Sequence, residues 1–285
     1  MNRQPLSTAP SDPFRAKGFV ETAGDRFRSA PFGPRVRAWA KRAYYAALML
    51  RSGGRGLSCT LPGGETVRAL PEHRYLSWNR QEYSAFKQAV SPGMVALDIG
   101  ANVGAYAMLL GQWVGPAGRV FAFEPAPSPF NGLVRHIHLN DLDAVVRPIE
   151  AAVGDREAQA DFLVGETAGE SRLAALGDPQ AARLTVPVVT IDAFCARERI
   201  EPDFIKIDVE GWELAALRGA RETIRRRRGD LALFVELHPS AWPLLSTSRE
   251  ALLQDLRLQR LDLVPLTGAG DMWAVEGVAV KLRRL

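Results

Sequence analysis

The stretch from Val95 to Gly104, which reads V-A-L-D-I-G-A-N-V-G, constrains the fold of this chain more than any other. Its apolar run ends at Asp98, and Gly100 and Gly104 follow shortly afterwards. A short apolar run that ends in a glycine turn is typical of a buried parallel strand leading into a helix. We expect Gly100 to permit a tight turn and the close approach of a ligand, and Gly104 to lie where the helix begins and packs against the strand.

The spacing of the glycines separates this loop from a dinucleotide site. Such a site has the form G-x-G-x-x-G, whereas Asn102 stands here in place of the second glycine. The loop therefore favours a nucleoside ligand without a diphosphate. About 20 residues further on, a second short strand ends in Glu124, where an acid can accept hydrogen bonds from both ribose hydroxyls. Together these features indicate an S-adenosylmethionine site; the alternative is a strand–turn–helix followed by a surface glutamate.

The composition is that of a globular protein with a good core. The chain has 285 residues, of which 47% are apolar, enough for one large domain with an extension or for two small domains. Its two cysteines, Cys59 and Cys195, are far apart, which excludes a disulfide framework or a cysteine metal cluster and fits a reducing, cytoplasmic location. We expect neither a signal peptide nor a transmembrane helix, because no sufficiently long apolar run is present.

The excess of positive charge is local. The net charge is +4, and the first 42 residues carry nine basic against three acidic residues. A second basic run spans Arg225 to Arg228. Neither run is interleaved with aromatic residues, so we do not expect a nucleic-acid partner. The run at Arg225 is more typical of a solvated helix end, since cations favour helix C-termini.

The N-terminal part differs from the rest of the chain. Residues 1–34 contain five prolines and scattered charges, and we predict a disordered basic tail. Residues 35–51 form a basic amphipathic pattern, which predicts a helix that packs on its own domain, covers a substrate cleft or makes peripheral contact with a membrane. A hairpin over residues 57–70 and a helix over 78–90 would complete an N-terminal extension spanning 35–90.

From residue 91 to residue 285 the pattern alternates between short buried strands and amphipathic helices. Such alternation predicts a doubly wound parallel sheet. The first core strand is expected to begin at Val95 within the apolar run 94–97, and the others at 120–123, 145–149, 204–209, 231–237, 261–266 and 272–280. An insertion at about 154–203 interrupts the rhythm, with two strands at 160–164 and 184–189, a polar and mobile stretch at 167–179 and a short helix opening at Thr190.

A series of motifs carries a resemblance to a known family. They are D-I-G-A-N-V-G (98–104), A-F-E-P (122–125), L-N (139–140), T-I-D (190–192), F-I-K-I-D-V-E-G-W-E (204–213), L-R-G-A (217–220) and V-E-L-H (235–238). In this order they resemble the FkbM family of S-adenosylmethionine-dependent methyltransferases, over roughly residues 78–238. The resemblance implies the class I methyltransferase fold: α/β, Rossmann-like, with a seven-stranded, mostly parallel sheet in the order 3-2-1-4-5-7-6 and helices on both faces. It also implies O-methylation of a hydroxyl on a sugar, a glycan or a secondary metabolite.

The same resemblance implies positions for the cofactor. The loop after the first core strand would hold the methionine portion, Glu124 the ribose, and the end of the third core strand an adenine edge. The candidate cofactor-binding residues are Asp98, Gly100, Ala101, Asn102, Val103, Gly104, Tyr106, Glu124, Pro125 and Ala151.

Four polar residues follow the fourth and fifth core strands. Asp208 and Glu210 end the fourth strand, and Glu236 and His238 end the fifth. Alternation along a strand places the members of each pair on one side, so all four are expected to converge beside the transferred methyl group. One alternative is that Glu236 and His238 only cap the edge of the sheet.

Two mechanisms suit this set of side chains. In the first, a carboxylate or His238 takes the hydroxyl proton, while Lys206 adjusts the local charge. In the second, Asp208, Glu236 and His238 bind a divalent metal that lowers the pKa of the acceptor hydroxyl. We favour the metal-free base, with Asp208 as the first candidate and His238 as the second, because these ligands do not define one metal geometry.

Other functions of the same fold stay open. N- or carboxyl-methylation is one alternative, although the Asn/Asp-Pro-Pro-aromatic motif common in amino-methylating enzymes is absent from the fourth strand. A non-catalytic nucleoside-binding module is another, and the crowding of polar groups at the strand ends argues against it. The sequence names neither the acceptor nor the oligomeric state.

Overall fold

The computed structural model describes residues 34–164, 172–173, 182–227, 231–266, 271–274 and 277–285. The chain forms two compact units, Met1–Asn79 and Arg80–Leu285. Residues 1–33, where we predicted a disordered tail, lie outside the described residues. The helix at Arg80–Ala89 belongs to the second unit, whereas the sequence analysis placed it in the N-terminal extension.

In the described part of the first unit, residues 34–79, a helix, a hairpin and a short 3-10 helix (Pro71–His73) follow one another. Helix α1 (Pro34–Arg51) is followed by the antiparallel strands β1 (Leu57–Thr60) and β2 (Thr66–Ala69). Arg74, which follows the hairpin, donates a hydrogen bond of 3.0 Å to the Tyr45 hydroxyl of α1 and lies over the ring of Tyr75. This stacked arginine ties the helix to the end of the hairpin.

The second unit begins with a helix and then alternates between strands and helices. Its elements as far as the insertion are α2 (Arg80–Ala89), β3 (Val95–Ile99), α3 (Ala105–Val114), β4 (Arg119–Phe123), α4 (Pro127–Leu139) and β5 (Val146–Ile149). The insertion contributes β6 (Ala152–Val153), β7 (Ala158–Val164), β8 (Arg172–Leu173), β9 (Ala182–Val189) and α5 (Ile191–Glu198). The remaining elements are β10 (Phe204–Ile207), α6 (Glu213–Arg218), α7 (Arg221–Arg226), β11 (Ala232–Leu237), α8 (Arg249–Leu258), β12 (Leu261–Pro265) and β13 (Val278–Arg284).

Seven of these strands form the central sheet, in the order β12-β13-β11-β10-β3-β4-β5. Strand β13 is antiparallel to both of its neighbours, and the other pairs are parallel. Numbered along the chain, this order is 3-2-1-4-5-7-6. The chain moves outward from β3 first to one side and then to the other. Right-handed crossovers therefore place helices on both faces, and the class I methyltransferase fold is confirmed.

The two faces of the sheet carry different side chains. On one face, Phe194 of α5 packs edge-on against Phe121 and Phe123 within an apolar core. On the other, Phe86 of α2 packs against Phe204 and Phe234. Strand alternation places Asp98 and Lys206 on this second face, beneath α2 and α3. Polar groups of the sheet thus share a face with an aromatic cluster that fixes α2.

The insertion builds a second sheet, in the order β6-β9-β7-β8. Strands β7 and β9 are antiparallel, as expected. The stretch at 167–179 was predicted to be mobile. Its residues Arg172 and Leu173 form β8 and pair with β7, and the rest lies outside the described residues. Helix α5 begins after Thr190, whose Oγ1 accepts a hydrogen bond of 3.0 Å from the N–H of Ala193.

The predicted start of the last strand was wrong. This strand begins at Val278 rather than at residue 272, because Asp271 Oδ1 accepts a hydrogen bond from the N–H of Trp273 and closes a turn there. The helix after β10 begins at Glu213. Glu210 has φ +50° and Gly211 has φ +105°, conformations that a right-handed helix does not contain.

Candidate active site

Residues that follow β3, β4, β10 and β11 meet at one edge of the sheet. Parallel strands end at a common edge, and ligands of doubly wound folds bind there. The edge carries Gly100 after β3, Glu124 after β4, Asp208 after β10, and Glu236 with His238 at the end of β11. We describe first the loop after β3 and then the polar cluster beside it.

Gly100 packs against the backbone of Asp208, just after β10. Its φ is +79°, and a Cβ at this position would overlap the carbonyl oxygen of Asp208. The approach of β10 therefore requires a glycine here, and the positive φ agrees with the tight turn expected from the sequence. A Cβ at Gly104 would meet Leu133 of α4, so this glycine packs against a helix and not against the strand.

Glu124 fastens the loop. Its Oε2 accepts a hydrogen bond of 3.0 Å from the N–H of Asn102, and its Oε1 accepts one of 2.8 Å from the N–H of Ala126. Burial raises the pKa of Glu124 to about 7, although both amides oppose that rise. A carboxylate has about four acceptor positions, so each oxygen retains one for a ligand hydroxyl.

The remaining candidate cofactor residues lie along the same edge. The N–H of Ala101 donates to the carbonyl of Phe123, and Val103 O lies 2.6 Å from Nδ1 of the buried His136. The N–H of Ala151 donates to the carbonyl of Ile149 at the end of β5. Pro125 directly follows Glu124 and is partly buried. These contacts fix the backbone of the loop, and the contact of His136 with Val103 was not predicted.

Lys206 lies at the centre of the polar cluster. It is opposite Asp98 in the register of β10 and β3, and its Nζ lies 3.6 Å from Asp98 Oδ1 and 3.0 Å from Asp208 Oδ2. Burial alone would lower the pKa of Lys206, but Asp208 and Asp98 raise it above its usual value. The ammonium therefore stays charged and holds the Asp208 carboxylate in place.

Asp98 is fully buried, and the Lys206 ammonium, 3.6 Å from its Oδ1, is its ion-pair partner. Burial raises its pKa, and the charge of Lys206 opposes that rise. A buried carboxylate is costly unless a ligand or an ion pair compensates it.

Glu82 of α2 joins this cluster and was missed from the sequence. It is only 4% exposed, and it hydrogen-bonds Tyr106, whose ring centroid lies 5.4 Å from Lys206 Nζ. Burial raises the pKa of Glu82. Its sequence signal was an acid that shares the inner face of a helix with Tyr83 and Phe86.

A buried acid orients His238. Glu213 is fully buried, and its Oε1 lies 2.9 Å from His238 Nδ1 and accepts a hydrogen bond of 2.8 Å from the N–H of Gly211. Its Oε2 accepts a hydrogen bond of 2.8 Å from Nε1 of Trp242. These partners place the proton of the neutral imidazole on Nδ1 and leave Nε2 to face the cluster. We did not predict a role for Glu213 or Trp242.

The four strand-end residues converge. His238 Nε2 lies 3.5 Å from Glu210 Oε2, 3.9 Å from Asp208 Oδ1 and 3.9 Å from Glu236 Oε1. Burial would lower the pKa of His238, but the hydrogen bond to Glu213 and the charges of Asp208 and Glu210 raise it to about 9. Burial, followed by the charge of Asp208, raises the pKa of Glu236 to about 8.

Asp208, Glu236 and His238 could also hold a cation. Their ligand atoms all lie within 4.8 Å of one another. If a metal were bound there, Glu213 would be the outer partner that orients the imidazole. The Lys206 ammonium, 3.0 Å from Asp208, already supplies positive charge at this place.

Residues 98–257, more than half of the chain, match the family described as "Methyltransferase FkbM domain". The chain therefore belongs to the FkbM family of S-adenosylmethionine-dependent methyltransferases, and the resemblance found in its motifs is confirmed. No curated protein matches the sequence. No helix among the described residues is both long enough and apolar enough to cross a membrane.

Several solved structures are similar in fold. One is the methyltransferase FkbM of Methylobacillus flagellatus KT, with 19% identity and a TM-score of 0.44, covering 71% of this chain and 50% of that one. This chain thus spans half the length of the Methylobacillus protein. Another is an S-adenosylmethionine-dependent O-methyltransferase of Thermotoga maritima, with 12% identity and a TM-score of 0.41, covering 81% and 78%. A third is the O-methyltransferase of Bacillus cereus in complex with SAH, with 14% identity and a TM-score of 0.40, covering 72% and 78%.

Proposed function

We propose that the protein transfers a methyl group from S-adenosylmethionine to a hydroxyl of a sugar, a glycan or a secondary metabolite, with His238 as the base and without a metal. The observation that carries this proposal is the pairing of His238 Nδ1 with the buried Glu213, which turns Nε2 towards the strand ends. An oriented imidazole beside a cofactor loop is the arrangement that proton removal from an alcohol requires.

The charges of the site suit the cofactor. Among the described residues, six carboxyl groups surround two basic groups, Lys206 and His238; they belong to Glu82, Asp98, Asp208, Glu210, Glu213 and Glu236. A cationic ligand would favour the ionised forms of those carboxyl groups whose pKa is raised in the free protein. S-adenosylmethionine carries a sulfonium and an ammonium, and Glu124 offers acceptors for its ribose. These residues support the assignment of the candidate cofactor positions.

Each residue near the methyl position has a proposed role. When bound, the cofactor supplies a methyl group activated by its sulfonium. His238 Nε2 accepts the hydroxyl proton, and Glu213 stabilises the imidazolium that results. Asp208, held by Lys206, accepts a hydrogen bond from a neighbouring hydroxyl of the acceptor and thereby aligns the reacting oxygen, while Glu210 and Glu236 line the rest of the site. His238 thus moves ahead of Asp208 as the base, because Asp208 is already paired with an ammonium.

A metal-assisted transfer to the same hydroxyl is the second candidate. It is favoured by the mutual distances of Asp208, Glu236 and His238. The bound cation would lower the pKa of the acceptor hydroxyl, and His238 would act as a ligand rather than as a base. We favour the metal-free base because the Lys206 ammonium competes for Asp208.

The experiment is transfer of label from tritiated S-adenosylmethionine to a panel of sugars, glycans and hydroxylated metabolites, with matched amines and carboxylic acids. The proposal expects label in an ether that is stable to base. Label released as methanol on mild alkaline treatment would indicate a carboxyl ester, and label confined to amines would indicate N-methylation. Either of these results would overturn the proposal, and cofactor binding without transfer to any member of the panel would favour a binding module.

We also propose a cytoplasmic location and a small-molecule or glycan acceptor. Both cysteines, Cys59 and Cys195, are free and buried, which agrees with a reducing compartment. Detection of the protein in a fractionated cell by antibody would test this location.

A further inference from the structure

Two adjoining cavities lie at the end of the central sheet opposite to the candidate active site. Strands β10 and β11 end at the active-site edge, whereas the cavities open near Ala232, where β11 begins, and near Arg284, where the antiparallel β13 ends. A strand of this length separates the two edges by roughly 17–20 Å. The first cavity has a volume of about 620 Å³ and the second of about 440 Å³, and both are lined by Ile224 and Arg284. We call them the apolar cavity and the arginine cavity.

The apolar cavity is lined by aliphatic side chains from three strands and two helices. Leu233, Leu261 and Leu282 are almost fully buried, and Leu231 and Val264 are partly buried beside them. Its rim carries Lys281, Arg283 and Arg284, and no acidic residue is among the described residues that line it. This cavity therefore combines an apolar interior with a basic entrance.

The arginine cavity gathers four guanidinium groups from separate parts of the chain. Arg221 and Arg225 come from α7, Arg260 follows α8, and Arg284 ends β13. Arg225 pairs with Glu222, and Arg221 pairs with Asp255. Within the described part of the chain, Arg260 and Arg284 have no ion-pair partner. The sequence analysis interpreted the run at Arg225 as a solvated helix end, and the structure adds two arginines that no local pattern could associate with it.

We propose that this pair of cavities binds an amphiphile with one alkyl or prenyl chain and a phosphate head group. The alkyl or prenyl chain of the ligand would occupy the apolar cavity, and its phosphate would lie among Arg225, Arg260 and Arg284. Guanidinium groups bind phosphate through paired, charge-assisted hydrogen bonds. Apolar burial contributes about 25 cal/mol per Å² of a chain, and volumes of roughly 300–1,000 Å³ are typical of ligand sites. A bare anion would leave the aliphatic walls unused, and a neutral lipid would leave Arg260 and Arg284 unpaired.

The test measures binding to the full chain by calorimetry, without S-adenosylmethionine or an acceptor, so its outcome is independent of the proposed methyl transfer. The probe is a monomeric lysophosphatidic acid, compared with the matching monoacylglycerol and with inorganic phosphate. The proposal expects the probe to bind at least about tenfold more tightly than either half-ligand. Equal affinity for inorganic phosphate, or no binding of the probe, would overturn it.

Two sets of variants distinguish the contribution of the phosphate head group from that of the alkyl chain of the probe. The double change Arg260→Gln with Arg284→Gln should weaken the probe at least about tenfold, whereas Arg257→Gln, an exposed arginine on the same helix as Leu258, should leave it unchanged. Val264→Trp should fill the apolar cavity and weaken the probe but not inorganic phosphate, and Leu231→Trp is the replacement if that variant does not fold. Wild-type affinity in the double variant would contradict the proposal.

A vesicle sedimentation experiment determines whether the amphiphile is a membrane lipid or a free molecule. Vesicles of phosphatidylcholine with phosphatidic acid should carry the protein down, and the double variant should stay in the supernatant, if the ligand is a membrane lipid. Binding of the monomeric probe without sedimentation would identify a free amphiphile. Both results support the shared chemistry, and sedimentation that the double variant retains would overturn it.

Discussion

Nδ1 of His238 lies 2.9 Å from Oε1 of Glu213, although these residues are 25 positions apart in the sequence. Glu213 is fully buried and also accepts hydrogen bonds from the N–H of Gly211 and from Trp242 Nε1. A base whose second nitrogen is held by a buried acid follows the logic of the serine protease triad, in which the acid fixes the tautomer and stabilises the imidazolium. We therefore assign Glu213 as a residue that positions His238.

Replacement of Glu213 by Gln is expected to move the pH dependence of turnover. The hydrogen bond from His238 and the charge of Glu213 both raise the pKa of the imidazole, so their loss should shift the rising limb of kcat/KM from near pH 9 to lower pH. Turnover itself should fall by about 10²-fold or more. The measurements are the pH profile and an NMR titration of His238, with Glu222→Gln as the exposed control. A lower rate with an unmoved limb would mean that Glu213 is only structural.

Replacement of Asp208 by Asn should reduce kcat by about a hundredfold, because the acceptor oxygen loses its aligning carboxylate while the side-chain volume is kept. Affinity for S-adenosylmethionine should change much less than kcat. Steady-state kinetics and calorimetric titration measure the two effects, and Asp262→Asn, at the edge strand β12, is the control. Turnover within a few-fold of the wild type would remove Asp208 from the mechanism.

Replacement of Glu124 by Ala should weaken S-adenosylmethionine binding by on the order of 1–3 kcal/mol, the cost of hydroxyls left without partners. Because the pKa of Glu124 is about 7, the carboxylate accepts fully only above that pH, and wild-type affinity should rise as pH increases from 6 to 8. Calorimetry at several pH values measures both effects. The exposed Glu157→Ala, just before β7, is the matched control, and equal affinities of the two variants would place the ribose elsewhere.

The free protein should lose stability as pH rises from about 5 to about 9. A carboxyl whose pKa is raised from 4.5 to about 8 on folding stabilises the fold below its unfolded pKa, and this contribution is lost as pH rises through about 8. The raised pKa of His238, about 9, acts in the same direction. Urea unfolding between pH 5 and 9 measures the slope. Glu236→Gln should flatten it, and a variant as steep as the wild type would show that Glu236 is not the source.

Treatment with EDTA should leave methyl transfer within a few-fold of its original rate, since the proposed mechanism uses His238 and Lys206 rather than a cation. Assays before and after chelation, with magnesium or manganese added back, make the comparison. Loss of activity that either metal restores would move the assignment to a metal held by Asp208, Glu236 and His238.

Much of the fold could be predicted because strands and turns have local signals. The apolar runs at β3, β4 and β10 and the glycine turn after β3 locate the sheet edge, and the family resemblance supplies the strand order. The convergence of Asp208, Glu210, Glu236 and His238 follows from strand ends that share that edge. The start of β13 could not be predicted, because residues 272–274 are apolar like a strand but lie in a turn closed by Asp271.

The residues that the sequence analysis missed come from elements that are distant in the sequence and meet the site only in the folded structure. Glu82 comes from a helix before the first core strand, and Glu213 and Trp242 meet His238 from elements after β10 and β11. No spacing rule links such positions, because their approach depends on how the helices pack on the sheet. For Gly100 the sequence predicted that a glycine is needed, but not that a side chain there would collide with the carbonyl oxygen of Asp208.

The contact between Gly100 and the carbonyl of Asp208 leaves no space for a side chain between the cofactor loop and the end of β10. The backbone positions of the two segments are therefore coupled, and backbone packing sets the spacing between the proposed sulfonium site and Asp208. Under the proposed mechanism, engineering of the acceptor range is better directed at Glu210 and Glu236, whose side chains are partly exposed, because their replacement leaves that spacing unchanged.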